Sequence, residues 1–447
     1  MAESADYRVD LDIYNGPLDL LLYLIREQEL DIHDIPIAQI ADQFLAHLDI
    51  VRHIDVDRAG DFLLMAATLM LIKSRTLLPG AVADEDEYDE ELDPRTDLVR
   101  QGSIFQSTSD SEVIVHLIAR SDARQVEDQI LDALERLEGA YSVLLTVGRT
   151  LYAIVDPRGF RPLAVGRLGN GWVLASETCA LDLVGARLTR ELGPGEWLKI
   201  EDGEVVDLPP LPSKPPSRCV FELIYFSRPD STVFGRSVDH VRRALGQALA
   251  HEHPAPGADC VFSVPDSANA MALGFAEASG LKLENGLIRN HYVGRTFINP
   301  GQQTRVAKVR IKFNPVQEVI AGRSVVVVDD SLVRGTTSRE LVQMLRQAGA
   351  REVHFRFASP PITGPCFYGI DTPTREELIA SSHTIPQIQA HLGVDSLGYL
   401  SLDGLLRAAE SHDHYCHACF SGDYPTLVRA DSEHHAGELA VGAAREI

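Results

Sequence analysis

Positive charge is scarce in this chain. Its 447 residues carry 41 Lys and Arg against 65 Asp and Glu, a net charge of −24. That balance argues against broad, nonspecific adhesion to nucleic acid or to an anionic membrane, so a small anionic substrate would need a local basic site. Long apolar runs are missing too: the best, Phe62 to Ile72, is short and ends at Lys73, well below the roughly 20 residues of a membrane-spanning helix. The start, MAESADYRVDLD, lacks the basic and apolar layout of a secretory leader, so the cytoplasm is the expected compartment, with neither membrane nor direct nucleic-acid partners. Cysteine is sparse, six in all and none before Cys179; in a reducing compartment these are thiols or metal ligands rather than disulfides. His33, His47 and His53 are scattered without ligand spacing and give no metal site.

What is present concentrates in Ser324 to Val353, SVVVVDDSLVRGTTSRELVQMLRQAGAREV. Val325 to Val328 are consecutive β-branched residues, as in a parallel-sheet strand covered on both faces. Asp329 and Asp330 follow, then Arg334-Gly335-Thr336-Thr337-Ser338, then a helix with Leu341, Met344 and Leu345 at helical spacing. In open α/β sheets ligands sit in the crevice at the carboxyl edge, and N–H groups at a helix N-terminus attract phosphate. The loop therefore reads as a monophosphate cradle: Gly335 lets the backbone approach, and Thr336, Thr337 and Ser338 add hydroxyl donors. The two carboxylates cannot ligate phosphate, so they meet hydroxyls, a metal or developing positive charge. The rival is a plain strand-to-helix turn whose Ser and Thr only cap the helix. Capping alone does not require an Asp pair and Arg-Gly-Thr-Thr-Ser together.

Three further features accompany this run. Pro265-Asp266-Ser267 stands at the carboxyl end of another strand, where a pyrophosphate loop would be; capping by Ser267 is its rival. Residues 289 to 312, RNHYVGRTFINPGQQTRVAKVRIK, form a basic loop with Arg289, Arg295, Arg305, Lys308 and Lys312, suited to closing over a diphosphate. Cys416 and Cys419 make a C-x-x-C, which alone means zinc, redox chemistry or chance. Adding Cys219 and Cys366 gives four thiolates, the set a [4Fe–4S] cluster requires, with zinc as the rival from spacing alone.

The chain divides by composition. Residues 1–80 read as a small helical module, 81–100 as an acidic linker (DEDEYDEELDPRTD), 101–207 as strands separated by Gly and Pro turns in a layered sheet domain, and 208–218 (LPPLPSKPPSR) as a boundary. Residues 219–430 form the parallel-sheet domain with its cysteine motif, and 431–447 a tail. The expected fold class is therefore multidomain, α+β and α/β.

The Ser324–Val353 run resembles the phosphoribosyl-pyrophosphate motif of the phosphoribosyltransferases. From about 101 to 430 the chain resembles the glutamine phosphoribosylpyrophosphate amidotransferases, with GSIFQSTSDSEVIVHLIAR, LEGAYSVLLTVGRTLYAIVDPRGFRPLAVGRL and VLASETCALDLVG similar to the later part of an N-terminal-nucleophile glutaminase domain. The resemblance implies that the Arg334–Ser338 loop holds the 5-phosphate and that Ser267 joins Asp329 and Asp330 around Mg²⁺. It also implies that Asp266, Arg289, Tyr292 and Arg295 border the substrate and that Asp110 holds the amino group of glutamine, unless Asp110 only caps the helix near Glu112. Cys219, Cys366, Cys416 and Cys419 match the ligands of the family's cluster-containing branch, and a homo-oligomer is implied. The implied reaction replaces pyrophosphate at C1 of phosphoribosyl pyrophosphate with ammonia, giving 5-phosphoribosylamine in the first committed step of purine synthesis. The family needs a cysteine at the mature N-terminus as glutaminase nucleophile, and this chain has none before Cys179, which lies in a run the family uses for structure. Free ammonia rather than glutamine is therefore the expected donor, and the absent strands leave sheet edges unpaired.

Residues 1–80 have another resemblance. YNGPLDLLLYLIREQELDIHDIPIAQIADQFLAHL and DFLLMAATLMLIKSRTLLP are similar to the N-terminal domain of segregation and condensation protein A, the bacterial kleisin. This implies a partner in the neck of an SMC ATPase, although the family's winged helix is not visible. The alternative reading is thus an SMC-binding protein with the transferase as passenger.

Overall fold

A computed structural model describes residues 98–99, 103–107, 109, 111–290, 311–370, 372, 374–410 and 414–427. The helical module expected over 1–80, nearly all of the acidic linker and the C-terminal tail lie outside the described residues. The chain divides into two compact units, 1–122 and 123–447, and among the described residues no helix is long and apolar enough to cross a membrane.

In the first unit, α1 (Ser111–Arg120) buries Val113 and Leu117. Glu112 in its first turn accepts from the Ser107 hydroxyl at 2.6 Å and from the N–H groups of Gln106 and Ser107. The Ser107 hydroxyl, followed by the Gln106 N–H, holds its carboxyl down at about 2.

The second unit begins with α2 (Val126–Glu135) and two antiparallel sheets. The first contains β1 (Ser142–Val147), β2 (Thr150–Val155), β6 (Trp197–Glu201) and β7 (Glu204–Asp207), in that order. The second has β3 (Ala164–Leu168) between β4 (Gly171–Ala175) and β5 (Arg187–Glu191). Ala153, Val155 and Leu198 from one sheet meet Val165 from the other, with Leu163 and Leu192, in one dry cluster. Glu127 ties α2 to the first sheet through Tyr152 and Lys199. α3 (Thr178–Val184) packs Leu181 on Ala164 of the second. Among the described residues β1 and β7 are the edges of the first sheet, and β4 and β5 those of the second.

The corner between β2 and β3 turns on one carboxylate. Asp156 is fully buried and accepts N–H bonds from Arg158 at 2.9 Å, Phe160 at 3.1 Å and Tyr141 at 3.3 Å. Burial outweighs these bonds and raises its pKa to about 6.

After β8 (Arg218–Cys219) comes a parallel five-stranded sheet in the order β10 (Lys282–Leu283), β9 (Cys260–Ser263), β13 (Ser324–Asp329), β14 (Glu352–Phe357), β15 (Ser396–Tyr399). An antiparallel pair, β11 (Leu287–Arg289) and β12 (Phe313–Pro315), lies beside it. The expectation of a strand covered on both faces is met at β13. Val326 and Val328 enter a cluster with α4 (Val238–Glu252), α5 (Asn269–Ser279) and α8 (Leu402–Ala408). Val325 and Val327 enter a second cluster with α6 (Thr336–Gln347) and α7 (Ile385–Leu392). All four valines are fully buried, and each contributes about 1.5–3 kcal/mol. Helices α4 and α5 cross so closely that a Cβ on Gly246 would collide with the Met271 carbonyl and one on Gly274 with that of Arg243.

Candidate functional site

The register of the central sheet brings two sequence-distant loops together. Ser263, the last residue of β9, pairs with Val328 of β13, so the residues after both strands emerge at one carboxyl edge. There the Ser267 hydroxyl donates to Asp330 Oδ1 at 2.6 Å, and the Ser331 hydroxyl donates to Oδ2 at 2.6 Å. The Asp330 N–H donates to Asp329 Oδ1 at 3.0 Å. Burial first, and then the charge of Asp330, push the Asp329 carboxyl well above the usual carboxylate range, while Lys312 works in the opposite sense. The peptide between Pro265 and Asp266 is cis, and exposed Asp266 accepts from Arg289 at 2.5 Å.

The loop after the Asp pair is shaped by Gly335, which forms the N-cap of α6 at φ 78°. A side chain there would be strained by that left-handed backbone, and its Cβ would stand 3.0 Å from Ile379 Cδ1. Because glycine occupies the cap, no side chain caps this helix, and its first-turn N–H groups face the edge available to an anion. Thr336 and Thr337 are exposed beside them and Ser338 is buried. The capping rival is thus not what these hydroxyls do. Arg334 is turned to Glu377, which it meets at 2.9 Å. Tyr292, Arg295 and Asp110 lie outside the described residues.

A second convergence joins the cysteines. Cys219 on β8 and Cys416 on β16 (Tyr415–Cys416) face each other in parallel register. Cys419 sits in the short helix α9 (Ala418–Ser421), whose Cys419 carbonyl accepts the Thr363 and Gly364 N–H groups and so draws in the loop carrying Cys366. All four thiols are free and line one cavity with Phe160, Phe221, Tyr368 and Tyr424. Burial pushes the Cys219 thiol up to about 12 and that of Cys416 to about 11, and raises Cys419 as well. Among the described residues no three His, Cys, Asp or Glu side chains are arranged to hold a single metal ion. Cys260 packs in the core of β9, and Cys179 is buried at the start of α3.

Two elements here had no signal in the sequence. Arg161 lies against the thiol cavity and donates to Glu222 at 2.7 Å and to the Tyr368 carbonyl at 2.9 Å. Glu222 opens a π-helical turn (Glu222–Phe226), a form that follows from main-chain packing and not from residue spacing. Arg242, fully buried on α4, secures the same turn by donating to the Leu223 and Ser227 carbonyls.

Comparison with known proteins gives the family. The family described as segregation and condensation protein ScpA matches residues 24–116, and the one described as glutamine amidotransferase domain matches 80–183. Amidophosphoribosyltransferase 2, chloroplastic, of Arabidopsis thaliana is 49% identical over 347 residues, covering 77% of this chain and 62% of that protein. The amidophosphoribosyltransferase of Bacillus subtilis is 50% identical over 340 residues, 75% of this chain and 71% of that one. The solved glutamine phosphoribosylpyrophosphate amidotransferase of B. subtilis, complexed with ADP and GMP, superposes with a TM-score of 0.72 at 49% identity over 76% of this chain and 75% of that chain. The chain spans less than two thirds of two Arabidopsis relatives, 62% and 59%. With this identity and coverage, the chain belongs to the amidophosphoribosyltransferase family.

Proposed function

We propose that the chain forms 5-phosphoribosylamine from phosphoribosyl pyrophosphate, the first step of de novo purine synthesis, with free ammonia as nitrogen donor. The observation that carries this reading is the meeting of Ser267 with the Asp329–Asp330 pair beside the uncapped N-terminus of α6. The Gly335–Ser338 loop receives the 5-phosphate on main-chain N–H groups and hydroxyls. The carboxylate pair takes the ribose hydroxyls and favours positive charge developing at C1 as the bond to pyrophosphate breaks. Ammonia then supplies the electron pair of the new C1–N bond, and its extra proton is released. Arg289, which meets Asp266 at this edge, is assigned to the pyrophosphate, and the resemblance gives Tyr292 and Arg295 the same role.

The oxygen set of Ser267, Asp329 and Asp330 fits Mg²⁺, which binds through one or two carboxylates together with substrate phosphates. When bound, it neutralises charge on the leaving pyrophosphate. The four thiols fit a [4Fe–4S] cluster. They face one aromatic-lined cavity, and in such a cluster each thiolate binds its own iron, so its ligands need not converge on one point as those of zinc must. The cluster would brace β8, β16 and the Cys366 loop without entering the reaction.

The donor reading rests on the resemblance, whose nucleophilic cysteine has no counterpart among the residues before Cys179, and the same resemblance makes Asp110 a remnant of the glutamine site. The layered domain at 123–207 supports its reading as a truncated glutaminase. Phosphoribosylamine formation, measured with ammonia and with glutamine in turn, tests both points. Ammonia-dependent synthesis with a near-background glutamine rate is expected. An equal or higher glutamine rate overturns the donor assignment, and no product with either donor overturns the transferase reading.

The match of residues 24–116 to the ScpA family favours a second reading for the N-terminal region: residues 1–80 bind the neck of an SMC ATPase. Pull-down of the full chain with an SMC neck fragment tests it, and failure of the fragment to retain the chain removes it.

A further inference from the structure

Away from the Asp pair, a half-open cleft of about 330 Å³ lies between the antiparallel sheets and the parallel-sheet domain, with Glu191, Leu192, Pro194, Arg218 and Phe234 in its wall. Its size and its position between two layers of the fold suit a small-molecule site. Arg218 is the cation of this cleft, and among the described residues its guanidinium makes no hydrogen bond or ion pair. It rests on the face of Phe234, Cζ lying 5.5 Å from the ring centroid. In a chain of net charge −24, an arginine with all five N–H donors unspent is a local anion site.

The wall on which Arg218 rests is held under strain. Phe234 and Gly235 form the two-residue turn between Thr232–Val233 and Arg236–Ser237, at φ 55° and 74°. Such a turn takes Asn-Gly or Asp-Gly readily, whereas a bulky side chain at positive φ is an outlier costing about 1–2 kcal/mol. The conformation is imposed by Glu191, whose Oε1 accepts the Phe234 N–H at 3.0 Å and whose Oε2 accepts the Gly235 N–H at 2.6 Å. Tyr415 meets the Phe234 ring edge-on at 6.4 Å. Both carboxylate oxygens are thus engaged by N–H groups; burial raises the Glu191 pKa, while those N–H bonds and the charge of Arg218 work in the opposite sense.

We propose that this cleft is a second ligand site, distinct from the Asp329–Asp330 edge, which takes a small organic anion. Its carboxylate or phosphate head pairs with Arg218 and its flat apolar body lies along Phe234 and Leu192. The fork of Arg218 suits a two-oxygen head group. The left-handed Phe234 presents a rigid ring where the favoured turn residues would present none.

Calorimetric titration of the full chain with benzoate, phenyl phosphate and inorganic phosphate tests the site in wild type and in Arg218→Met, Phe234→Asn and Thr337→Val. Arg218→Met breaks no hydrogen bond and should keep its thermal midpoint; Asn adopts the left-handed turn readily but gives up the packing of Phe234 on the core, so the thermal midpoint of Phe234→Asn is measured alongside its affinity. At least one aromatic anion is expected to bind more tightly than inorganic phosphate. Its affinity should fall about tenfold or more in Arg218→Met and in Phe234→Asn, as loss of a charge-assisted pair or of the stacking wall implies, and be retained in Thr337→Val. Whichever of benzoate and phenyl phosphate binds identifies the head group. The proposal is overturned if neither binds at millimolar concentration, if inorganic phosphate binds as tightly, or if Arg218→Met binds unchanged. Loss confined to Thr337→Val also overturns it by placing the anion in the phosphate cradle, an outcome that leaves the transferase reading intact.

Discussion

Ser267 and Asp330 stand 63 positions apart in the chain, yet the hydroxyl of one donates to the carboxylate of the other at 2.6 Å. The contact exists because parallel pairing of β9 with β13 brings both strand ends to one edge. Removing it with Ser267→Ala should raise KM for phosphoribosyl pyrophosphate about fivefold, the effect of one hydrogen bond of about 1 kcal/mol. Asp330→Asn removes the charge itself and should lower kcat/KM with ammonia about a hundredfold, the scale seen when a preorganised electrostatic group is lost. Initial rates at saturating ammonia measure both; an Asp330→Asn enzyme of wild-type kcat/KM would exclude the carboxylate from the reaction.

Gly335 offers a test of the cradle that leaves every charge in place. Gly335→Ala puts a Cβ on a backbone at φ 78° and within 3.0 Å of Ile379. The loop must shift or carry roughly 1–2 kcal/mol of strain. The expected result is a KM for phosphoribosyl pyrophosphate raised several-fold with kcat changed less, together with a lower thermal midpoint. An unchanged KM would mean that the main chain of this loop does not hold the phosphate.

The site was legible in the sequence where local pattern and chemistry coincide. Four β-branched residues ending in an Asp pair, then Gly335 ahead of an amphipathic helix, specify strand, edge and cradle within one short run. The four thiols were legible as a set through resemblance, but their geometry was not: Cys219 and Cys416 meet through a two-residue parallel bridge between chain segments far apart in sequence. The Arg161–Glu222 pair and the Phe234 turn were illegible. One depends on a π-helical turn whose hydrogen bonds follow from packing, and the other places a phenylalanine where turn propensity would put Asn or Asp. The structure also redirects Arg334, read from the sequence with the cradle, toward Glu377.

Asp156 gives a pH dependence whose sign can be worked out. Its pKa rises from 3.8 to about 6 on folding, chiefly through burial. Between those values the folded chain keeps a proton that the unfolded chain releases, so the contribution is fully present below pH 3.8 and lost as pH rises through 6. The loss is about 3 kcal/mol at most, from roughly two pK units. Asp156→Asn should flatten this segment of the stability profile. Urea midpoints of wild type and variant at pH 4.5, 5.5 and 7 measure it; parallel profiles would assign the slope to other groups.

Arg161 and Glu222 fasten the β2–β3 corner to the turn that follows Cys219. Their side chains meet at 2.7 Å with relative exposures of only 18% and 10%. The Ser227 hydroxyl satisfies the second Glu222 oxygen at 2.8 Å, and Arg242 holds the Ser227 carbonyl behind it at 2.7 Å. Removing one partner of a pair at this depth strands the other charge, so Glu222→Ala should cost about 3–5 kcal/mol. Glu222→Gln keeps an acceptor for Arg161 and should cost less. The double variant Arg161→Met with Glu222→Leu removes both charges while keeping much of the apolar volume, and should recover most of the Glu222→Ala loss. Chemical denaturation of the single and double variants measures the coupling. Additive losses would mean that the two residues stabilise the corner independently and that the ion pair does not join it to the thiol-bearing segment.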